Sequence, residues 1–315
     1  MKILANDGIA TIGKQQLETA GFTVVTETVP QNDLIQTINN ENYVALLVRS
    51  ATTVRKDLID ACPSLKLIGR GGVGMDNIDV AYAREKGLHV INTPASSSQS
   101  VAELVMAHLF GAVRFVYDAN RQMPTSGITE FKTLKKKYAK GLELRGKTLG
   151  IIGFGRIGQA TASYALGCGM NVVYTDPFAE KTTINVKVGN QLVAVELTSY
   201  TKEQVLTKAD FISLHIPKLG QPTIGNEEFA RMKDGVIIIN TARGGVVDED
   251  ALIAHLNSGK VAHAALDVFE NEPTPREDLL KHPKISLTPH IGAATLEAQD
   301  RIGEELASQI KELLL

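Results

Sequence analysis

The chain has 315 residues, 43% of them hydrophobic and 22% charged, and its 33 Lys and Arg nearly balance its 35 Asp and Glu for a formal net charge of −2. That length exceeds what one hydrophobic core normally serves, so two domains are predicted. The balanced charge offers no long-range attraction for nucleic acid or anionic lipid, and neither is expected as a partner.

No apolar run approaches the roughly 20 residues of a bilayer span. The opening Met1-Lys2-Ile3-Leu4-Ala5-Asn6-Asp7 lacks the apolar core of a secretory signal, so a cytoplasmic location is expected. Cys62 and Cys168 stand far apart with no CxxC spacing, so neither a disulfide framework nor a metal site is expected.

Short β-branched runs alternate with amphipathic stretches of helical length, the pattern of βα units on parallel sheets. The first series takes Ile3-Leu4, Thr23 to Val25, Val44 to Val48, Leu67-Ile68 and Val90-Ile91 as strand cores, with helical segments such as Ile9 to Ala20 between them. It reads as a small flavodoxin-like sheet. A long helix is predicted from about Ser98 to Tyr117, with Ala102, Val105, Leu109 and Ala112 at helical spacing. The second series takes Thr148 to Ile152, Val172 to Tyr174, Phe211 to Leu214, Val236 to Ile239, Ala264 to Leu266 and Ile285 to Leu287, as a Rossmann domain requires. The segment from Thr182 to Tyr200 is irregular, carries an alternating Val-rich portion and fits neither series. A last helix is predicted from Leu296 to Leu314, with Thr295 as its N-cap, returning to the first domain. The fold class is therefore α/β with two doubly wound parallel-sheet domains. A Rossmann domain at 98–290 is inserted into a discontinuous flavodoxin-like domain at 1–97 and 291–315, and the two crossings make a hinge around a cleft.

Gly153-Phe154-Gly155-Arg156-Ile157-Gly158 follows a predicted strand and opens a predicted helix, with Asp176 at the end of the next strand. The first glycine permits the tight turn, the second lets backbone approach a pyrophosphate, and the third allows helix to pack on sheet. Arg156 adds a cation beside the N–H groups of the helix start. Asp176 is expected to accept from the adenosine ribose hydroxyls and to repel a 2′-phosphate, which predicts NAD rather than NADP.

Residues just after the later Rossmann strands face the cofactor crevice. Arg243 follows Val236 to Ile239, and its planar fork suits a 2-hydroxy or 2-oxo carboxylate. Glu272 follows the next strand, in Asp267-Val268-Phe269-Glu270-Asn271-Glu272-Pro273. His290 follows the last. Hydride transfer from a secondary alcohol needs a base for the hydroxyl proton, which is the role expected of His290, with Glu272 stabilising the imidazolium and fixing its tautomer. Taken singly, such a histidine is ordinarily a hydrogen-bonded loop residue, and Arg243 or Glu272 a surface ion-pair partner. Consecutive strand ends beside a dinucleotide fingerprint reverse that balance. His215 and Pro217, at another strand end, are expected to line the nicotinamide half. His89, His108, His255, His263 and His282 have no such context and are read as structural.

These segments, with Gly146 to Gly158, Asn240 to Leu252, Ala264 to Pro273 and Pro289 to Thr295, resemble the D-isomer-specific 2-hydroxyacid dehydrogenases over almost the whole chain. The resemblance implies Arg243, Glu272 and His290 as the catalytic set, and Thr241, Ala242, Asp267 and Gly292 as nicotinamide-side contacts. Val48 to Thr52 and Gly69 to Asp79 are similar to the phosphoglycerate dehydrogenase branch. That similarity implies a phosphate-bearing substrate met by Arg49, Ser50 and Arg70, with its carboxylate cradled by backbone amides of Gly72, Val73 and Gly74. The alternatives are a glyoxylate or hydroxypyruvate reductase and, outside catalysis, an NAD-sensing binding protein. A homodimer joined through the cofactor domains is also implied. Lys135 to Lys137 replace a region where relatives carry arginine, and a solvated face is the simpler reading of that run. The end of the chain at Leu315 predicts no C-terminal regulatory domain.

Overall fold

The computed structural model describes all 315 residues. They form two compact units, 1–100 with 293–315 and 101–292.

The first unit begins with β1 (Lys2–Ala5), α1 (Thr11–Thr19), β2 (Thr23–Val25), α2 (Leu34–Glu41), β3 (Tyr43–Val48), α3 (Lys56–Ala61), β4 (Leu67–Arg70), α4 (Val80–Glu85) and β5 (His89–Asn92). The strands pair in parallel in the order β2-β1-β3-β4-β5. A purely parallel sheet is covered on both faces, which is why β3 is the nearly unbroken apolar run Tyr43-Val44-Ala45-Leu46-Leu47-Val48. The chain moves from β1 out to β2 and then back past it to β3, so the switch point of this sheet lies between β1 and β3.

The second unit takes in most of α5 (Ser98–Val113), then α6 (Val116–Lys137), β6 (Thr148–Ile152), α7 (Arg156–Gly167), β7 (Asn171–Thr175), β8 (Lys181–Val188), β9 (Gln191–Thr198), α8 (Lys202–Lys208), β10 (Phe211–Leu214), α9 (Asn226–Arg231), β11 (Val236–Asn240), α10 (Glu249–Ser258), β12 (Val261–Leu266), α11 (Glu277–Leu280) and β13 (Ile285–Leu287). Its six-stranded sheet runs β13-β12-β11-β10-β6-β7, all parallel, with the switch point between β6 and β10. Apolar clusters cover both faces of this sheet, and β11 is buried along its whole length.

Two features depart from the sequence reading. The long helix stops at Val113, because Phe115 adopts a left-handed backbone (φ 55°) and α6 restarts at Val116. The segment read as irregular is an antiparallel hairpin, β8–β9, whose Ile184 and Val186 pack with Ala162 and Ala165 of α7. Lys137, at the end of α6, pairs with Asp118 at 2.8 Å. No single helix is long and apolar enough to cross a membrane.

The chain ends in α12 (Leu296–Leu314), capped by Thr295, whose hydroxyl accepts from Ala298 N–H. Ile302, Leu306, Ala307 and Ile310 line one face of it and join the core of the first unit. Gly13 of α1 and Gly303 of α12 set how closely the helices cross, since a Cβ on Gly13 would lie 2.6 Å from the Gly303 carbonyl oxygen.

Candidate active site

The turn after β6 assigns its glycines different tasks. Gly153 holds φ 92°, and a Cβ there would sit 2.4 Å from the His215 carbonyl oxygen, so both conformation and space demand glycine. A Cβ on Gly158 would sit 2.3 Å from the Gly153 carbonyl oxygen, which makes this the contact that presses α7 onto the strand turn. Around Gly155 no protein atom lies within 4 Å of such a Cβ. The fold needs the first and third glycines, and the open space at the second is what a diphosphate approaching the start of α7 requires. Arg156 is exposed beside it, and Ile157 is half-buried.

Asp176, just past β7, is tied to this turn. Its Oδ2 accepts from Phe154 N–H at 2.6 Å and its Oδ1 from Phe178 N–H at 2.8 Å, while the Phe154 ring stacks on Tyr174 with centroids 3.7 Å apart. The carboxylate is thereby fixed and half-exposed, as recognition of a ribose diol requires. On the other side of the switch point, the His215 ring pairs with the Ser213 hydroxyl at 2.9 Å, and desolvation pushes its pKa down to about 3, so it is neutral. Pro217 is exposed. Thr241, after β11, is buried with its hydroxyl oxygen unpartnered, an unmet polar group that suits a carboxamide. The turn glycines, Asp176 and Thr241 together fit NAD.

Arg243, Glu272 and His290 stand on the loops after β11, β12 and β13. The first loop is stapled by Asn240, whose side chain donates to the Arg243 carbonyl (2.9 Å) and accepts from Ala242 N–H (3.0 Å). Arg243 Nη1 donates to the Ala242 carbonyl at 2.6 Å. Gly244 lies flat on the second loop, where a Cβ would fall 1.8 Å from the Phe269 carbonyl oxygen. Glu249, buried on α10, supports that second loop by accepting from Glu270 N–H at 2.9 Å, and burial pushes its pKa up.

On the second loop Glu272 Oε1 accepts from Phe269 N–H at 2.9 Å and Oε2 lies 2.7 Å from His290 Nδ1. Burial raises the pKa of Glu272, but the hydrogen bonds from His290 and Phe269 and the charges of His290 and Arg243 outweigh it and hold the group below its ordinary range. His290 has a left-handed backbone (φ 55°), rare for a residue with a side chain, while its ring remains exposed. Both flanks of that strained residue are pinned from below by Asp267, which is 1% exposed. Its Oδ1 accepts from Ile291 N–H (2.8 Å) and the Thr288 hydroxyl (2.6 Å), and its Oδ2 from Gly292 N–H (2.9 Å). Asp267 and Gly292 thus act on each other in this structure, as an anchor for the loop that carries His290.

In the first unit, Arg49 follows β3 and Arg70 ends β4, with Val48 and Arg70 in register on adjacent strands. Arg70 folds over its own loop, and a Cβ on Gly72 (φ 145°) would strike its Nη1 at 2.2 Å. Ser50 and Val73 are exposed and Gly74 is half-buried. The Arg49 loop is held by Asp7, beyond β1, whose Oδ2 accepts from Arg49 N–H (2.6 Å) and Thr52 N–H (3.1 Å). Asp7, Asn240 and Glu249 were not singled out by sequence reasoning. They hold loops in place, and a hydrogen-bonding side chain has no signature until its partner's position is known.

Residues 106–292 match the family model described as D-isomer specific 2-hydroxyacid dehydrogenase, NAD binding domain. The chain is 46% identical over 309 residues to a hydroxypyruvate reductase of Thermotoga maritima, covering 96% of this chain and 93% of that protein. It is 42% identical over 316 residues to a D-3-phosphoglycerate dehydrogenase of Methanocaldococcus jannaschii, covering 100% of this chain but only 57% of that longer protein. Among solved structures it resembles a glyoxylate reductase from Paecilomyes thermophila (TM-score 0.81, 30% identity, covering 99% and 94% of the two chains). It also resembles the D-lactate dehydrogenase from Aquifex aeolicus complexed with NAD and lactic acid (TM-score 0.76, 29% identity, covering 99% and 94%). The chain belongs to the D-isomer-specific 2-hydroxyacid dehydrogenase family, and its second unit is that family's NAD-binding domain.

Proposed function

We propose that the chain interconverts a D-2-hydroxy acid and its 2-oxo acid with His290 as acid and base, and that its substrate is 3-phosphoglycerate. The observation that carries the chemistry is the 2.7 Å contact between His290 Nδ1 and Glu272 Oε2. With Nδ1–H held by the carboxylate, the free Nε2 takes the hydroxyl proton during oxidation and returns it to the carbonyl oxygen during reduction. Glu272 stabilises the imidazolium formed in between. Arg243 holds the substrate carboxylate through its guanidinium fork. NAD, when bound, supplies the hydride acceptor.

The phosphate assignment rests on Arg49 and Arg70, two cations at neighbouring strand ends, where an unphosphorylated three-carbon acid, whose single carboxylate is met by Arg243, needs no such pair. A second reading, hydroxypyruvate as the natural substrate, is favoured by the relative of matching length, the Thermotoga maritima protein. Steady-state kinetics with 3-phosphoglycerate, phosphohydroxypyruvate, hydroxypyruvate and glyoxylate separates the two. Arg49→Ala and Arg70→Ala are expected to lower kcat/KM for phosphohydroxypyruvate at least about tenfold more than for hydroxypyruvate, the loss of one charge-assisted contact. Equal losses on both substrates reject the phosphate.

A further inference from the structure

His108 lies on α5, far in sequence from the site, and is 5% exposed. Its ring bridges two residues of the strand and loop that lead to His290, with Nδ1 at 3.0 Å from the Ser286 hydroxyl and Nε2 at 3.0 Å from the Thr288 hydroxyl. The proton positions follow from the partners. Asp267 can only accept, so the Thr288 hydroxyl commits its proton to Oδ1 at 2.6 Å. What Thr288 offers His108 is therefore a lone pair, and Nε2 carries the hydrogen. Desolvation lowers the His108 pKa against the opposing charge of Asp267, so the ring is neutral, Nδ1 is bare, and Ser286 donates to it. The result is one directed chain of hydrogen bonds, Ser286 to His108 to Thr288 to Asp267. It ends on the carboxylate that grips the N–H groups of Ile291 and Gly292. His290 N–H also donates to the Thr288 carbonyl at 3.1 Å.

We propose that His108 is a positioning residue for His290: by fixing the Thr288 hydroxyl it sets the orientation of Asp267 and so holds the strained loop that presents the His290 ring to Glu272. A leucine at 108 would fill the space without donating, leaving the Thr288 hydroxyl held by Asp267 alone, so that its position and its share of the Asp267 oxygens are no longer fixed from the other side. Glutamine supplies an N–H donor and a C=O acceptor in place of Nε2–H and Nδ1, so it preserves the direction of the chain. This inference rests on His290 acting as the acid and base.

The test compares wild type, His108→Leu and His108→Gln with whichever 2-oxo acid the wild type reduces best. His108→Leu is expected to lower kcat about tenfold with KM for NADH nearly unchanged, the signature of a misplaced reacting group, and His108→Gln to recover most of the loss. In protein carrying 13C-labelled histidine, the His290 ring resonance of the Leu variant is expected to broaden or divide, reporting a ring no longer held in one place, and to sharpen again in the Gln variant. An unaltered His290 resonance together with unaltered kcat in His108→Leu overturns the proposal, as do equal losses in both variants. Should His108→Leu fail to fold, Thr288→Val against Thr288→Ser examines the same link from its other end, with the serine expected to retain activity. The resonance needs no substrate, so a wrong substrate assignment leaves this result intact.

Discussion

Glu272 and His290 meet at 2.7 Å across loops that leave neighbouring strands, and the same carboxylate holds its own loop through Phe269 N–H. Glu272→Gln removes the charge while keeping the shape. Reduction requires a protonated imidazole, and without the carboxylate that form loses its stabilisation, so the variant's reduction rate at neutral pH is expected to fall. Steady-state reduction rates of wild type and Glu272→Gln at one neutral pH check this, and equal rates would show that the carboxylate contributes nothing to the proton transfer.

The depressed pKa of Glu272 also carries a stability prediction. A carboxyl held below its unfolded value, about 4.3, contributes stability that is present above that pH and lost as pH falls through the lower folded value. Wild type should therefore lose stability more steeply than Glu272→Gln on acidification from about pH 5 downward, as measured by urea unfolding at a series of pH values. Parallel curves would mean that the pair contributes nothing to folding.

Gly155→Ala and Gly158→Ala separate binding from folding. The added methyl at 155 meets no protein atom, and its φ of −69° is ordinary for alanine. Its melting temperature should stay within a degree or two, while NADH affinity falls more than about tenfold because the methyl occupies the diphosphate's approach. At 158 the methyl meets the Gly153 carbonyl oxygen at 2.3 Å, and stability should fall by about 1–3 kcal/mol. Equal melting temperatures for the two variants would sink this division of labour.

The parallel sheets were legible because buried strands such as Val236-Ile237-Ile238-Ile239 cannot alternate polar and apolar faces, and the glycine turn because each of its residues answers a local need. The β8–β9 hairpin shows in the sequence as an alternating Val-rich portion, but alternation alone names no partner strand. Ile184, Val186 and Val188 alternate with polar neighbours, and Gly189 (φ 60°) with Asn190 makes the two-residue turn. A hairpin outside both parallel sheets belongs to neither βα series, which is why the segment reads as irregular beside them. Arg243, Glu272 and His290 are singled out by their places at strand ends. The residues that hold them, Asp267 as an anchor and His108 beneath it, depend on contacts spanning up to 180 positions, which no local pattern encodes.

Gly244→Ala tests whether the Arg243 and Glu272 loops move as one. The alanine methyl would fall 1.8 Å from the Phe269 carbonyl oxygen, too close for any rotamer to relieve, so one loop must shift. Phe269 N–H is the donor that holds Glu272, and a shift there carries Glu272 away from His290. The expected result is a loss of kcat of about a hundredfold or more, with NADH binding reduced far less. A variant of normal kcat would show that the two loops tolerate independent movement.

Asp176 has a dual role that decides how cofactor preference responds to mutation. Its charge opposes a 2′-phosphate, but its two oxygens also accept from Phe154 and Phe178 N–H, so truncation to alanine loosens the glycine turn as well as removing the charge. Asp176→Asn keeps one acceptor oxygen and abolishes the charge. The ratio of kcat/KM for NADP to that for NAD is therefore expected to rise by roughly an order of magnitude in Asp176→Asn with the NAD value only moderately reduced. In Asp176→Ala both values should fall, because the turn that receives the diphosphate is no longer tied to β7. If alanine raised NADP activity as cleanly as asparagine, the hydrogen bonds to Phe154 and Phe178 would be irrelevant to binding, and the charge of Asp176 alone would set the preference.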